Sequence, residues 1–232
     1  MRKTLLVGSA ALAWMMLAVP AFAGFATSVT GNGALVSPPS SALGDVSTQY
    51  QVWNESSGTL SSAVTLENNG AVGSYSGLSP GSSTTLAAGT SYGSTFIQLN
   101  PGIDGVVHSG TAFINFSTQI TGIALSGTVN GVPGSLDLTD KYGAPATTYP
   151  TGFTSPNNNR GILNKTNQFF TILNGGKELE IQLTANFNGF KELRVFTSGG
   201  SVGAVPEPAS MVVWTVLGSV VAGGAWYRRR RA

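Results

Sequence analysis

Phe169-Phe170-Thr171-Ile172-Leu173 leads into Asn174-Gly175-Gly176 and then, after Lys177, into Glu178-Leu179-Glu180-Ile181-Gln182-Leu183. Aromatic and β-branched residues dominate the first run, as strands prefer. The second run alternates. Leu179, Ile181 and Leu183 fall on one side of an extended chain, and Glu178, Glu180 and Gln182 on the other. A period of two presses one face against a core and leaves the other in water. With Asn-Gly-Gly as the turn, the stretch reads as a half-buried β-hairpin.

A second turn has a sharper mechanism. Asn130-Gly131 lies between Leu125–Val129 and Val132–Leu136, and both turn residues tolerate the positive φ of a type I′ hairpin. Pro133 cannot donate a ladder hydrogen bond, so its strand is expected at an edge or at a bulge. Working outward, ten strands are expected: Gln49–Asn54, Leu60–Leu66, Ser94–Leu99, Gly105–His108, Ala112–Thr118, Gly122–Val129, Val132–Leu138, Gln168–Leu173, Glu178–Ala185 and Glu192–Thr197. Helical periodicity is nearly absent. The expected class is all-β, an antiparallel β-sandwich, with a jelly roll as one form it could take. Lys141 to Lys165, rich in Pro and Asn, reads as a surface excursion.

Only 9% of the 232 residues are charged, and the basic ones crowd the termini. Arg2, Lys3 and Arg228 to Arg231 supply six of the twelve; residues 24–204 hold six basic and nine acidic residues. That body has no basic stripe to neutralise phosphates, so no nucleic-acid partner is expected. The chain has no cysteine. Disulfides and thiolate metal sites are therefore excluded, and an exported body must be held by packing and hydrogen bonds.

Residues 1–23 have the three parts of a secretory signal: Arg2-Lys3, an apolar run from Leu5 to Val19, and small residues ending Ala21-Phe22-Ala23. Signal peptidase is expected to cut after Ala23, with Ala21 and Ala23 filling its small-residue pockets. At the other end, residues 205–232 begin with Val205-Pro206-Glu207-Pro208, continue through an apolar stretch and finish with Arg228-Arg229-Arg230-Arg231-Ala232. A helix over 209–227 would rise about 28 Å, close to the thickness of a bilayer core. Four arginines resist translocation, so the C-terminus is expected in the cytoplasm and the body outside.

This tail resembles the PEP-CTERM sorting signal of Gram-negative bacteria: Pro206-Glu207-Pro208, one membrane helix and a terminal arginine cluster, in that order. The resemblance covers the last 28 residues. It implies an inner-membrane precursor, recognition by an exosortase-type membrane protease, transfer of the body to the envelope or the outside, and a bacterium that makes exopolysaccharide. Within the excursion, Gly143-Ala144-Pro145-Ala146-Thr147-Thr148-Tyr149-Pro150 and Arg160-Gly161 resemble a loop of uncharacterised secreted domains that precede such tails. That likeness carries no activity with it.

Candidates for chemistry are few. His108 is the only histidine, flanked by Ser109 and near Asp104, without a nucleophile-elbow pattern around any serine. Glu178 and Glu180 share a strand face about 7 Å apart, a spacing a glycosidase could use. Asp137 and Asp140, just ahead of Lys141, could offer oxygens to calcium. Tyr50, Trp53, Tyr75, Tyr92, Tyr142 and Tyr149 could stack on sugars, with Trp53 the leading contact. No cofactor, metal site or catalytic set is expected from these. The reading is a non-enzymatic structural or adhesive protein of the cell envelope or extracellular matrix. A carbohydrate (exopolysaccharide)-binding module is the alternative, and a glycoside-acting enzyme a more distant one.

Overall fold

Apolar and β-branched residues recur in short runs between Gly, Ser and Asn, too short for helices and well suited to strands. The computed structural model describes residues 24–42, 46–102, 107–128, 132–150, 160–185 and 191–199. The strands are β1 (Ala26–Gly31), β2 (Gly33–Leu35), β3 (Tyr50–Thr59), β4 (Val64–Leu66), β5 (Gly73–Ser76), β6 (Thr84–Leu86), β7 (Ser91–Leu99), β8 (His108–Phe116), β9 (Ile120–Ala124), β10 (Phe169–Leu173), β11 (Glu178–Ala185) and β12 (Lys191–Ser198). Among the described residues, one short helix, α1 (Ser135–Thr139), and 3₁₀ turns at Asp140–Tyr142 and Asn174–Gly176 accompany the strands. The signal peptide, the Asn130-Gly131 turn and the tail from Pro206 to Arg231 lie outside the described residues.

The described residues are all-β apart from α1 and the two 3₁₀ turns. A first sheet has the order β1-β8-β11-β10-β5 with every pair antiparallel, and a second the order β2-β3-β7-β12-β9. β2 runs parallel to β3, so the second sheet is mixed and not purely antiparallel as expected. A parallel neighbour requires a long connection, and 14 residues (36–49) separate β2 from β3 in sequence. β4 and β6 form a separate two-stranded ladder.

The β10–β11 hairpin forms as read. Asn174, Gly175 and Gly176 all take positive φ, and Leu173 pairs with Glu178. Leu179, Ile181 and Leu183 are buried while Gln182 is exposed.

The strand expected over Val132–Leu138 is a helix instead. Leu136 is fully buried and Leu138 is 58% exposed. Two positions apart would share one face of a strand, but they diverge by about 200° on a helix. Pro133 withholds a ladder donor, and the Asp137 carboxylate, in the first helical turn, accepts the Gly134 N–H at 3.4 Å. The preceding strand accordingly ends at Ala124. The expected Leu60–Leu66 strand shrinks to β4, because β3 continues through Thr59. β1, β2, β5 and β6 are short Ser/Thr/Gly-rich runs with little apolar alternation, so the sequence pattern does not mark them.

One core draws on both large sheets: Val52, Ile97 and Val195 from the second join Ile114, Ile172 and Ile181 from the first. Burying each such side chain contributes about 1.5–3 kcal/mol. Tyr50 ties the sheets across this core, since its hydroxyl donates to Gly110 O at 2.7 Å and accepts the Leu183 N–H at 2.6 Å.

A second core lies on the opposite face of the second sheet. Trp53, Phe96 and Phe196 meet Leu136, Tyr142 and Tyr149. Residues 132–150 and 160–162 form a cover on this side: the expected surface excursion is instead buried at Tyr142, Tyr149 and Arg160, and Ile162 reaches the first core. The backbone of the cover is tied down as loops over a core must be. Leu136 N bonds Ser126 O at 2.8 Å, Thr148 N bonds Ser40 O at 3.0 Å, and Ile162 N bonds Leu125 O at 2.8 Å. Among the described residues no helix is long and apolar enough to cross a membrane.

Candidate functional site

β3, β7 and β12 lie side by side, and alternation turns Trp53, Phe96, Gln98, Glu192 and Arg194 toward the cover. Glu55 joins them through a bulge: Glu55 and Ser56 lie between the pairs Asn54–Thr95 and Ser57–Gly93, where β7 has only Ser94. The extra residue bends the strand and redirects its side chains. The cover contributes Asp137, Thr139, Asp140, Tyr149 and Arg160.

These groups form one buried ionic network. Arg194 donates from Nε to Glu55 Oε2 at 2.7 Å and from Nη2 to Glu55 Oε1 at 2.9 Å. Its Nη1 reaches Leu136 O at 3.1 Å, Thr139 Oγ1 at 2.7 Å and Asp140 Oδ1 at 3.0 Å. Arg160 donates from Nε to Glu192 Oε2 at 2.6 Å, and from Nη1 to Asp137 Oδ1 at 2.9 Å and Asp140 Oδ2 at 2.6 Å. Nη2 adds Asp140 Oδ1 at 2.8 Å. Asp140 therefore bridges both guanidiniums. Ser94 Oγ and the Tyr149 hydroxyl complete the shell of Glu55, and Gln98 Nε2 donates to Glu192 Oε1 at 2.9 Å.

Aromatic rings sheath the cations. The Arg194 guanidinium carbon is 4.9 Å from the centroids of both Phe96 and Tyr149, and that of Arg160 is 5.7 and 5.8 Å from the same rings. Such contacts strengthen when desolvated. Four carboxylates face two guanidiniums. The two supplied by the cover, Asp137 and Asp140, keep 12% and 16% exposure, so water screens part of the excess.

Burial works against the charge on each arginine, but Glu192 and Asp140 outweigh it for Arg160, and Glu55 for Arg194, holding both above the ordinary value. Complete burial pushes Glu192 above the usual carboxylate range despite Arg160 and Gln98. Burial, reinforced by the neighbouring Glu55 charge, pushes the Tyr149 phenol up to about 12.

No protein-family model matches the chain, and no curated protein or solved structure is significantly similar to it. What the site can do follows from its own contacts. Its ionised groups are directed at one another, and they fasten the cover across β3, β7 and β12.

The residues singled out from sequence fall in several places. Asp137 and Asp140 grip Arg160 where calcium was considered, while Lys141 donates to Ser62 Oγ at 2.7 Å. Among the described residues no group of three or more His, Cys, Asp or Glu could hold a metal ion. Trp53 is fully buried, stacked on Phe96 at 4.9 Å, with its Nε1 donating to the Tyr149 hydroxyl at 3.5 Å. Its face is closed to a sugar. Tyr50, Tyr92, Tyr142 and Tyr149 are buried too, and Tyr75 packs on Phe170. His108 opens β8 opposite Ala185 in the first sheet, and Asp104 lies outside the described residues. Glu178 and Glu180 stand on the outer face of β11, as alternation required.

Glu55, Glu192 and Arg194 were missed as members of a site. The only sequence signal was the loop likeness, which contains Tyr149 and Arg160 and turns out to hold part of the network.

Proposed function

We propose that this chain is an exported protein of the cell envelope or extracellular matrix, with a structural or adhesive β-sandwich body and a C-terminal exosortase-type sorting tail. In this reading the precursor sits in the inner membrane with residues 24–204 outside and Arg228 to Arg231 in the cytoplasm. The observation that carries the non-enzymatic role is the network itself. Both arginines of the body and four of its nine acids hold one another beneath a cover, where they fix the cover onto a cysteine-free domain.

Export and sorting are tested in a host that has an exosortase. Replacing Arg228 to Arg231 with neutral residues should impair retention or orientation. Changing Pro206-Glu207-Pro208 should leave insertion intact and abolish processing. Release of reducing sugar from bacterial polysaccharides by the purified protein would overturn the non-enzymatic reading.

A further inference from the structure

The outer face of the first sheet is open at Phe169 and Gln182 and half-buried at Thr111, Phe113, Thr171 and Glu180, and it carries two outward aromatic rings. In register across β8, β11 and β10, Phe113 stands opposite Glu180, and Glu180 opposite Thr171. Two residues along, Thr111 stands opposite Gln182, and Gln182 opposite Phe169. Their neighbours Ala112, Ile114, Phe170, Ile172, Leu179 and Ile181 are buried on the other face, so the six point outward. Phe169 is 48% exposed.

We propose that this face binds a neutral polysaccharide, with Phe113 and Phe169 stacking on separate sugar units and Glu180, Gln182, Thr111 and Thr171 hydrogen-bonding the hydroxyls between them. The two phenylalanines are two strand spacings and two residues apart, about 12 Å between backbones. One pyranose ring cannot cover both, so the fitting partner is a chain of sugars. Charge selects among such chains. The charged side chains on this face of β8, β10 and β11 are the carboxylates Glu178 and Glu180, which repel polyanions and accept hydrogen bonds from sugar hydroxyls. An amide, hydroxyls and flat apolar rings beside them match a polyol with apolar C–H faces.

This site gives the proposed adhesive role a partner, and rests on that reading for its biological setting alone. Its test therefore uses purified full-length protein in detergent, where a failure of export would not register. The protein is mixed with insoluble cellulose, an insoluble β-1,3-glucan and a cross-linked polyuronate, and depletion from solution is measured. Retention by a neutral polymer and not by the polyuronate is expected. Phe169→Ala, with unchanged thermal unfolding, should weaken that retention about tenfold, and Phe169→Tyr should restore it. Passage of the wild type through both neutral polymers, equal retention on the polyuronate, or full retention by Phe169→Ala would overturn the proposal.

Discussion

Arg194 and Glu55 meet as a bidentate pair, at 2.7 and 2.9 Å, with both side chains wholly buried although they lie 139 positions apart in sequence. Bringing these residues together closes a long loop, and the paired hydrogen bonds fix its geometry as well as its charge. The pair joins the two strands that flank β7, and the rest of the network hangs the cover from it.

Removing one partner leaves the other as an uncompensated buried charge. Arg194→Met is expected to cost about 3–5 kcal/mol, a large share of the stability of an ordinary domain. The double replacement Arg194→Met with Glu55→Met should be less destabilised than the sum of the singles, because neither charge is then stranded. Denaturant unfolding of the four proteins measures this. Additivity within about 0.5 kcal/mol would show that the two side chains do not act as a unit.

Stability should fall on the alkaline side. Burial pushes the Tyr50 phenol up to about 12, against the backbone hydrogen bond from Leu183, and burial with the Glu55 charge does the same for Tyr149. An unfolded tyrosine loses its proton near pH 10, so above that pH the unfolded chain holds fewer protons and unfolding is favoured. The contribution is complete below pH 10 and is lost between about pH 10 and 12, at about 1.4 kcal/mol per unit for each phenol. Phenolate absorbance followed through unfolding at stepped pH checks this. Tyr149→Phe should shallow the slope, although it also removes a hydrogen bond from Glu55.

Gly161 sets the path of the chain beside Arg160. Its φ is +88°, and a Cβ there would lie 2.2 Å from Leu125 O. Gly161→Ala must move the backbone or displace Arg160 from Glu192 and Asp140. A loss of at least about 1–3 kcal/mol is expected by thermal or chemical unfolding. An unchanged midpoint would mean that the cover adapts without disturbing the network.

Local periodicity made part of this fold legible. In β11 each apolar residue reaches the core and each polar one the outer face, because a half-buried strand records its surroundings in every second residue. The same rule failed at Leu136 and Leu138, whose spacing suits a strand as a word but whose backbone Gly134 and Asp137 commit to a helix. It also failed for β12. Glu192 and Arg194 alternate with Leu193 and Val195 as though facing water, yet the cover closes over them. Buried charge of this kind has no local signature, since the partners of Arg194 come from β3 and from the segment around Asp140. Proline and asparagine in the cover are the composition of a solvated loop, and its buried Tyr142, Tyr149 and Ile162 follow no period that marks them as core.

Intact-mass analysis of the extracellular and membrane fractions, in a host that has an exosortase, tests the central claim of export and sorting most directly. The account predicts an extracellular species that starts at Gly24 and ends near Pro206-Glu207-Pro208, with the uncut tail confined to a membrane-bound precursor. A full-length tail on every recovered molecule would contradict it, and residues 205–232 would then be a permanent anchor.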